Sequence, residues 1–211
     1  MPSPPSRPAL RARYDRRRSE LIDAAAHAFA QRGFHATSVA ALLEATGLTA
    51  GGLYHYIATK DELLVLICDE LIDPLLARAR AILAAKGPPP EQLREFLHAW
   101  LEHIEAHLDH MRVFQQERHV IEGEPQWHEI RAKRREFERI LDQILARAQE
   151  LGAMRIPDRR LALLALLGMV NYTPQWYRRS GRLDARQIAD GYCDLMLEAY
   201  AANSTHWEGS A

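Results

Sequence analysis

The side chains with the widest chemical reach fall in residues 49–60, where Thr49, Tyr54, His55, Tyr56 and Lys60 supply hydroxyls, an imidazole and an ammonium. Ala50, Gly51 and Gly52 sit among them, and their small size lets a backbone come close to a partner. Donors and acceptors of this kind meet base edges and phosphate oxygens. Bond-making chemistry has no comparable support. The chain carries no nucleophile elbow, Walker loop, GxGxxG or HExxH pattern, and its carboxylates scatter along helix faces. It reads as a non-enzyme. His103, His107 and His110 share one helical face, and a pair at i, i+4 can chelate a metal. No Cys assists, and histidines on a solvated face are commoner, so no metal is assigned.

The elements that must position these residues are helices. Residues 37–60 read as two short helices joined by a tight turn at Gly47, with Lys60 opening a third. Thr37 and Ser38 are the candidate caps of the first, Thr49 of the second and Thr59 of the third. Leu53 ties the second helix to the core and leaves Thr49, Gly51, Tyr54 and His55 outward. Upstream, Leu21, Ile22, Ala25, Ala28 and Phe29 form an apolar stripe on a helix that Gly33 ends. Downstream, a long helix runs from Thr59 to about Ala85, with a kink expected at Pro74. Breaks at residues 86–90 and 122–125, and stops at Gly152 and at the loop 180–184, divide the remainder into further helices. No sustained period-2 run or hairpin signal appears, so the chain is all-α, with about nine helices.

Composition narrows the setting. The chain has 211 residues, enough for one or two small domains with a core. Cys68 and Cys193 fit no disulfide or metal spacing, which points to a reducing, cytoplasmic compartment. The longest apolar run, residues 161–170, is about half of a membrane span, and no signal peptide is evident. A helix so apolar on all sides needs cover on all sides, and a second subunit is the expected cover. The net charge of −1 conceals a basic start: Arg7, Arg11, Arg13, Arg16, Arg17 and Arg18 face Asp15 alone. Such an arm ahead of a helix-turn-helix suits phosphate contact; taken alone it reads equally as a solubilising tail.

Residues 16–64 resemble the DNA-binding domain of the TetR family of bacterial repressors. The resemblance rests on Leu21, Ile22, Ala24, Ala25, Phe29, Gly33, Phe34, Thr37, Ser38, Val39, Ala45, Gly47, Leu48, Thr49, Gly51, Leu53, Tyr54, Tyr56, Lys60, Leu63 and Leu64. Ala41, Leu43, Ala50, Gly52 and Ile57 depart from the usual pattern and leave the operator sequence unread. The resemblance implies a three-helix DNA-binding domain, a larger helical domain for ligand binding and dimerisation, and a homodimer paired through its last two helices. The expected division is a flexible basic arm over 1–15, the helix-turn-helix domain over 16–62, the ligand-binding and dimerisation domain over 63–203, and a tail over 204–211. The DNA-contacting set is Arg17, Arg18, Thr37, Ser38, Thr49, Ala50, Gly51, Tyr54, His55, Tyr56 and Lys60.

Residues 160–200 are similar to a TetR subgroup that senses acyl-coenzyme A thioesters in fatty-acid, phenylacetate and steroid breakdown. Such a ligand needs an apolar slot with a cationic, aromatic mouth. Arg178 and Arg179 beside Trp176 and Tyr177 could supply it, with Arg112, Arg118, His119 and Phe114 on a second side. Asn171 and Gln175 add polar groups for a ligand carbonyl. The ligand set is thus Phe114, Arg118, Asn171, Gln175, Trp176, Arg178 and Arg179. Each has a plainer reading: core or dimer aromatics, an internal amide hydrogen bond, and arginines solvated at a helix end. The resemblance implies no cofactor, a small effector, operator DNA as partner, no membrane, and release from DNA as the long third helix of the motif moves. The same fold sensing another hydrophobic molecule, or a helical module without operator function, are the alternatives.

Overall fold

Side-chain caps and left-handed glycines punctuate the chain. The structure, a computed structural model, describes residues 5–117 and 127–201. Among the described residues there are nine helices and no strand. Helix α1 (Pro8–Arg32) starts on a proline at its first turn and stops at Gly33, whose φ is 82°. Helix α2 (Val39–Thr46) is capped by the Ser38 hydroxyl, which accepts the Ala41 N–H, and ends at Gly47 with φ 65°. The Thr49 hydroxyl caps α3 (Ala50–Tyr54) by accepting the Gly52 N–H. Thr59 accepts the Glu62 N–H at 3.0 Å and opens α4 (Lys60–Ala84), with Asp61 and Glu62 in its first turn. Pro74 lies inside α4 without ending it.

Helices α5 (Pro89–Ala106), α6 (Leu108–Gln116), α7 (His128–Glu150), α8 (Arg159–Trp176) and α9 (Ala185–Ala199) complete the set. Asp158 caps α8, and Asp184 with Gln187 forms a reciprocal capping box on α9. The chain divides into two compact units, Met1–Asp73 with His107–Arg131, and Pro74–Ala106 with Ala132–Ala211. The packing division therefore falls later than the motif boundary at residue 62, and it adds α6 to the first unit.

In the first unit α1 packs against α2 and α6. Leu21, Ile22, Ala25 and Phe29 of α1 are buried with Leu42, Leu53, Ile57, Leu63, Leu64 and Ile67. One expectation changes here. Residues 8–15 of the supposed flexible arm are helical, because α1 begins at Pro8. Two features hold that extra turn. Arg11 pairs with Asp15 one turn on, at 3.0 Å. Tyr14 is buried, its ring 5.0 Å from that of Tyr56 and 5.7 Å from that of His55.

In the second unit α5 packs against α8 and α9. Phe137 of α7 stacks on Phe96 at 4.7 Å and meets Trp100 edge-on at 4.8 Å. The buried Gln92 donates to the Ile82 carbonyl at 2.7 Å and accepts from Arg147 at 2.7 Å. On α9, Asp190 accepts from both Arg94 and His98 at 2.7 Å, while Arg94 also holds Asp194 at 2.6 Å. Those hydrogen bonds from Arg94 and then His98 hold the Asp190 carboxyl below its ordinary range. Both cysteines are free and buried.

At the seam of α1 and α4, Arg18 lies 3.9 Å from Glu70. Burial pushes the Glu70 carboxyl up to about 7; Arg18 pulls it down and Asp23 pushes it up. An acid whose pKa rises on folding stabilises the fold while protonated, and that stability is lost as pH climbs through about 7. Glu70→Gln, which fixes the neutral form, is expected to raise the thermal midpoint at about pH 8, with the gain shrinking toward about pH 5. Calorimetry at both pH values checks this; a lowered midpoint at the higher pH would contradict it.

Candidate nucleic-acid interface

The reading element is built from the turn outward. Gly47 turns the chain in the left-handed region, and Leu53 buries one side of α3 at 2% exposure. The opposite side then faces solvent: Thr49, Ala50, Gly51, Tyr54 and His55 are all exposed, Tyr54 at 50%. Nothing lies within 4 Å of where a Gly51 side chain would start, so the backbone surface there is open. At Gly52 a Cβ would come 3.3 Å from the Thr49 hydroxyl and 3.6 Å from the Leu48 side chain. This departure from the family pattern therefore makes room for the cap of α3. Ser38 is exposed at the start of α2, where its hydroxyl and the helix N-terminus suit an anion.

Beside α3 a groove of about 690 Å³ runs along the start of α1. Arg13, Arg16 and Arg17 line it with Tyr14, His55 and Tyr56. Arg17 is exposed and pairs with Glu20 at 2.7 Å. Tyr56 is half-buried against Tyr14. Guanidiniums interleaved with aromatic edges are suited to a phosphate backbone.

Two members of the expected DNA set have other jobs. Thr37 is fully buried, and its hydroxyl donates to the Gly33 carbonyl at 2.7 Å. It braces the turn after α1 and presents nothing to DNA. The Lys60 ammonium donates to the Phe34 and Thr37 carbonyls at 2.9 and 3.2 Å and sits 4.4 Å from the Phe34 ring centre. An ammonium has three donors, so two of them are taken up within the fold.

The expected ligand residues are less assembled. Phe114 is buried on α6 in the first unit, and Arg118 lies outside the described residues, as does His119. Arg112 pairs with Asp109 at 3.3 Å. In the second unit Asn171 is half-buried on α8, while Gln175 and Trp176 are exposed. Arg178 donates to the Tyr177 carbonyl at 2.9 Å, and Arg179 to the Glu105 carbonyl at 2.8 Å. Both guanidiniums thus serve helix ends, the plainer of their two readings. Tyr177 is buried, and its hydroxyl donates to the Glu105 carboxylate. Burial and that bond push the phenol up to about 12.

Among the described residues no group of three His, Cys, Asp or Glu side chains is placed to hold a metal ion. His110 is buried, with its Nε2 3.6 Å from Asp23. Burial lowers the pKa of both His110 and His107. No helix among the described residues is long and apolar enough to cross a membrane. Little in the sequence marks Tyr14 and Glu117 as organisers of this unit. An aromatic among six arginines was the available signal for Tyr14.

Known proteins share this arrangement. Residues 21–67 match the model of bacterial regulatory proteins of the tetR family, and residues 86–200 match that of the tetracyclin repressor-like C-terminal domain. The HTH-type transcriptional repressor KstR2 of Mycobacterium tuberculosis is 30% identical over 86% of this chain and 91% of its own. Its solved structure, that of a ketosteroid transcriptional regulator, superposes with a TM-score of 0.82 at 29% identity, covering 87% of this chain and 94% of that one. The TetR family regulator PfmR of Thermus thermophilus gives 0.77 at 32% identity, covering 84% and 97%. AibR, solved with isovaleryl coenzyme A and operator DNA, gives 0.74 at 24% identity, covering 85% and 97%, a likeness of fold. These relatives are transcriptional regulators and none is an enzyme. The chain belongs to the TetR family of bacterial transcriptional regulators.

Proposed function

We propose that the protein is a cytoplasmic, homodimeric repressor that leaves its operator when a coenzyme A thioester binds its C-terminal domain. The single observation that carries the DNA half is the outward face of α3, with Thr49, Gly51, Tyr54 and His55 exposed over the buried Leu53. Ser38, Ala50 and the Arg13–Arg16–Arg17 groove add contacts that carry affinity without sequence, and Arg18, Tyr56 and Lys60 flank them.

Dimerisation is supported by α8. Leu161, Leu164, Gly168, Tyr172 and Trp176 recur at helical spacing on its exposed side, with Leu161 at 61% and Tyr172 at 66% exposure. Leu195 of α9 is exposed at 58%. A continuous apolar stripe needs a partner, and a second copy presents the same one.

The effector reading draws on Asn171, Gln175 and Trp176, with Phe114, Arg118, Arg178 and Arg179 as further members, and on what KstR2 and AibR are named for. The carbonyl bonds of Arg178 and Arg179 favour a second reading, a hydrophobic effector without phosphates. In either case the effector must bind the DNA-released state more tightly than the operator-bound one. Helix α4 follows the reading element directly in the chain and is the expected carrier of the change.

Fluorescence anisotropy with DNA from upstream of the protein's own gene tests the first half. Tyr54→Ala should keep its helicity and dimer yet lose about tenfold or more in operator affinity. Unchanged affinity would overturn the interface. Leu164→Arg should yield a monomer in light scattering, and a persisting dimer would exclude the α8 stripe. Aromatic, long-chain and steroid acyl-coenzyme A esters, each beside its free acid, then test the effector. Release by a thioester alone supports the main reading, equal release by the acid supports the second, and no release at micromolar levels removes both.

A further inference from the structure

Glu117 closes α6, and its side chain is 7% exposed. Its Oε1 accepts the Phe34 N–H at 3.3 Å. Its Oε2 is buried without a hydrogen bond, and the His35 Nε2 is 3.9 Å away. A carboxylate held this way is costly, because burial removes water and the partners replace it incompletely. Its place at a helix C-terminus adds the unfavourable end of the helix dipole.

The backbone of Phe34, held by Glu117 at its N–H, is also held at its carbonyl. The Phe34 carbonyl accepts from Lys60 at 2.9 Å, so an anion faces the N–H and a cation faces the C=O. The two groups belong to successive peptide units, so charged side chains hold the backbone on both sides of the Phe34 Cα. Phe34 sits in the turn that leads from Gly33 to the Ser38 cap of α2, and the same ammonium reaches the Thr37 carbonyl at 3.2 Å. The Phe34 ring packs edge-on against Phe29 at 5.2 Å, so the residue is anchored in the core of the unit. At 3.3 Å the bond from Phe34 to Glu117 is already at the long end of its range, and a shift of about 0.5 Å breaks it.

We infer that Glu117 is a positioning residue: it ties the C-terminal end of α6 to the reading element through the Phe34 backbone, so that operator affinity depends on where α6 ends. The inference rests on the operator-binding reading above and assigns the regulation of that site to a particular bond. Movement of the α6 end releases the Phe34 N–H, loosens the hold of Lys60 on the turn, and leaves α2 and α3 less ordered.

Two readouts test it on the full-length dimer. Operator affinity should fall about tenfold in Glu117→Ala, and Glu117→Gln, which keeps an acceptor, should recover most of that loss. In a Lys60→Met background the same Glu117→Ala change should cost less than about twofold, since the relay is already cut. Amide hydrogen exchange across residues 33–38 reads the coupling without DNA and should quicken in Glu117→Ala, with residues 93–104 of the second unit unchanged. Equal loss in both Lys60 backgrounds, or exchange identical to the parent protein, would overturn the inference. If the parent protein binds no operator, the functional proposal falls, and the exchange measurement still decides the coupling.

Discussion

The ammonium of Lys60 is the contact on which the reading element depends. It gathers two carbonyls, those of Phe34 and Thr37, over the face of the Phe34 ring. In the turn between α1 and α2 the Phe34 carbonyl also accepts the Thr37 N–H at 3.3 Å, and carbonyls near the core are costly to leave short of partners. One charged donor at the start of α4 satisfies both and thereby fixes the approach of α2. Thr37 completes the turn from within by donating to Gly33. Helices α2 and α3 are short, eight and five residues, and would not persist alone. Their order comes from this turn, from the Ser38 and Thr49 caps, and from the buried Leu42 and Leu53.

The second unit is organised by different means. Its α5 is clamped to α9 through Arg94, His98 and Asp190, and to α7 through the Phe96, Trp100 and Phe137 rings. Exposed ion pairs contribute little singly, while a shared network and an aromatic cluster contribute more. With α5 packed against α8 and α9, Leu161, Leu164, Tyr172, Trp176 and Leu195 remain exposed among the described residues. Under the proposed dimer, a second subunit would cover them and so add to the unit's stability.

How legible this was in the sequence follows from the distance between partners. Gly33, Gly47, Gly152 and the caps at Ser38, Thr49, Thr59, Asp158 and Asp184 act within four residues, and each could be read from the chain. The exposed face of α3 followed from the spacing about Leu53. Tyr14 was missed because its partners, His55 and Tyr56, lie some forty residues away. The inward bonds of Lys60 were missed for the same reason: a lysine opening a helix looks free until the carbonyls it meets are known. Glu117 reaches across to Phe34, and nothing local marks it. Arg178 and Arg179 show the converse, since a basic pair beside aromatics suits a ligand mouth and a helix end equally well.

The most direct measurement is a chemical footprint of the protein on the DNA upstream of its own gene. A dimer that places one α3 from each subunit in successive major grooves should protect two half-sites related by two-fold symmetry, their centres a helical turn of about 34–36 Å or a multiple of it apart. The protection should disappear in Tyr54→Ala. A single unpaired site, or no protected stretch at concentrations where the dimer is intact, would contradict the assignment of α3 as the reading helix of a dimeric regulator.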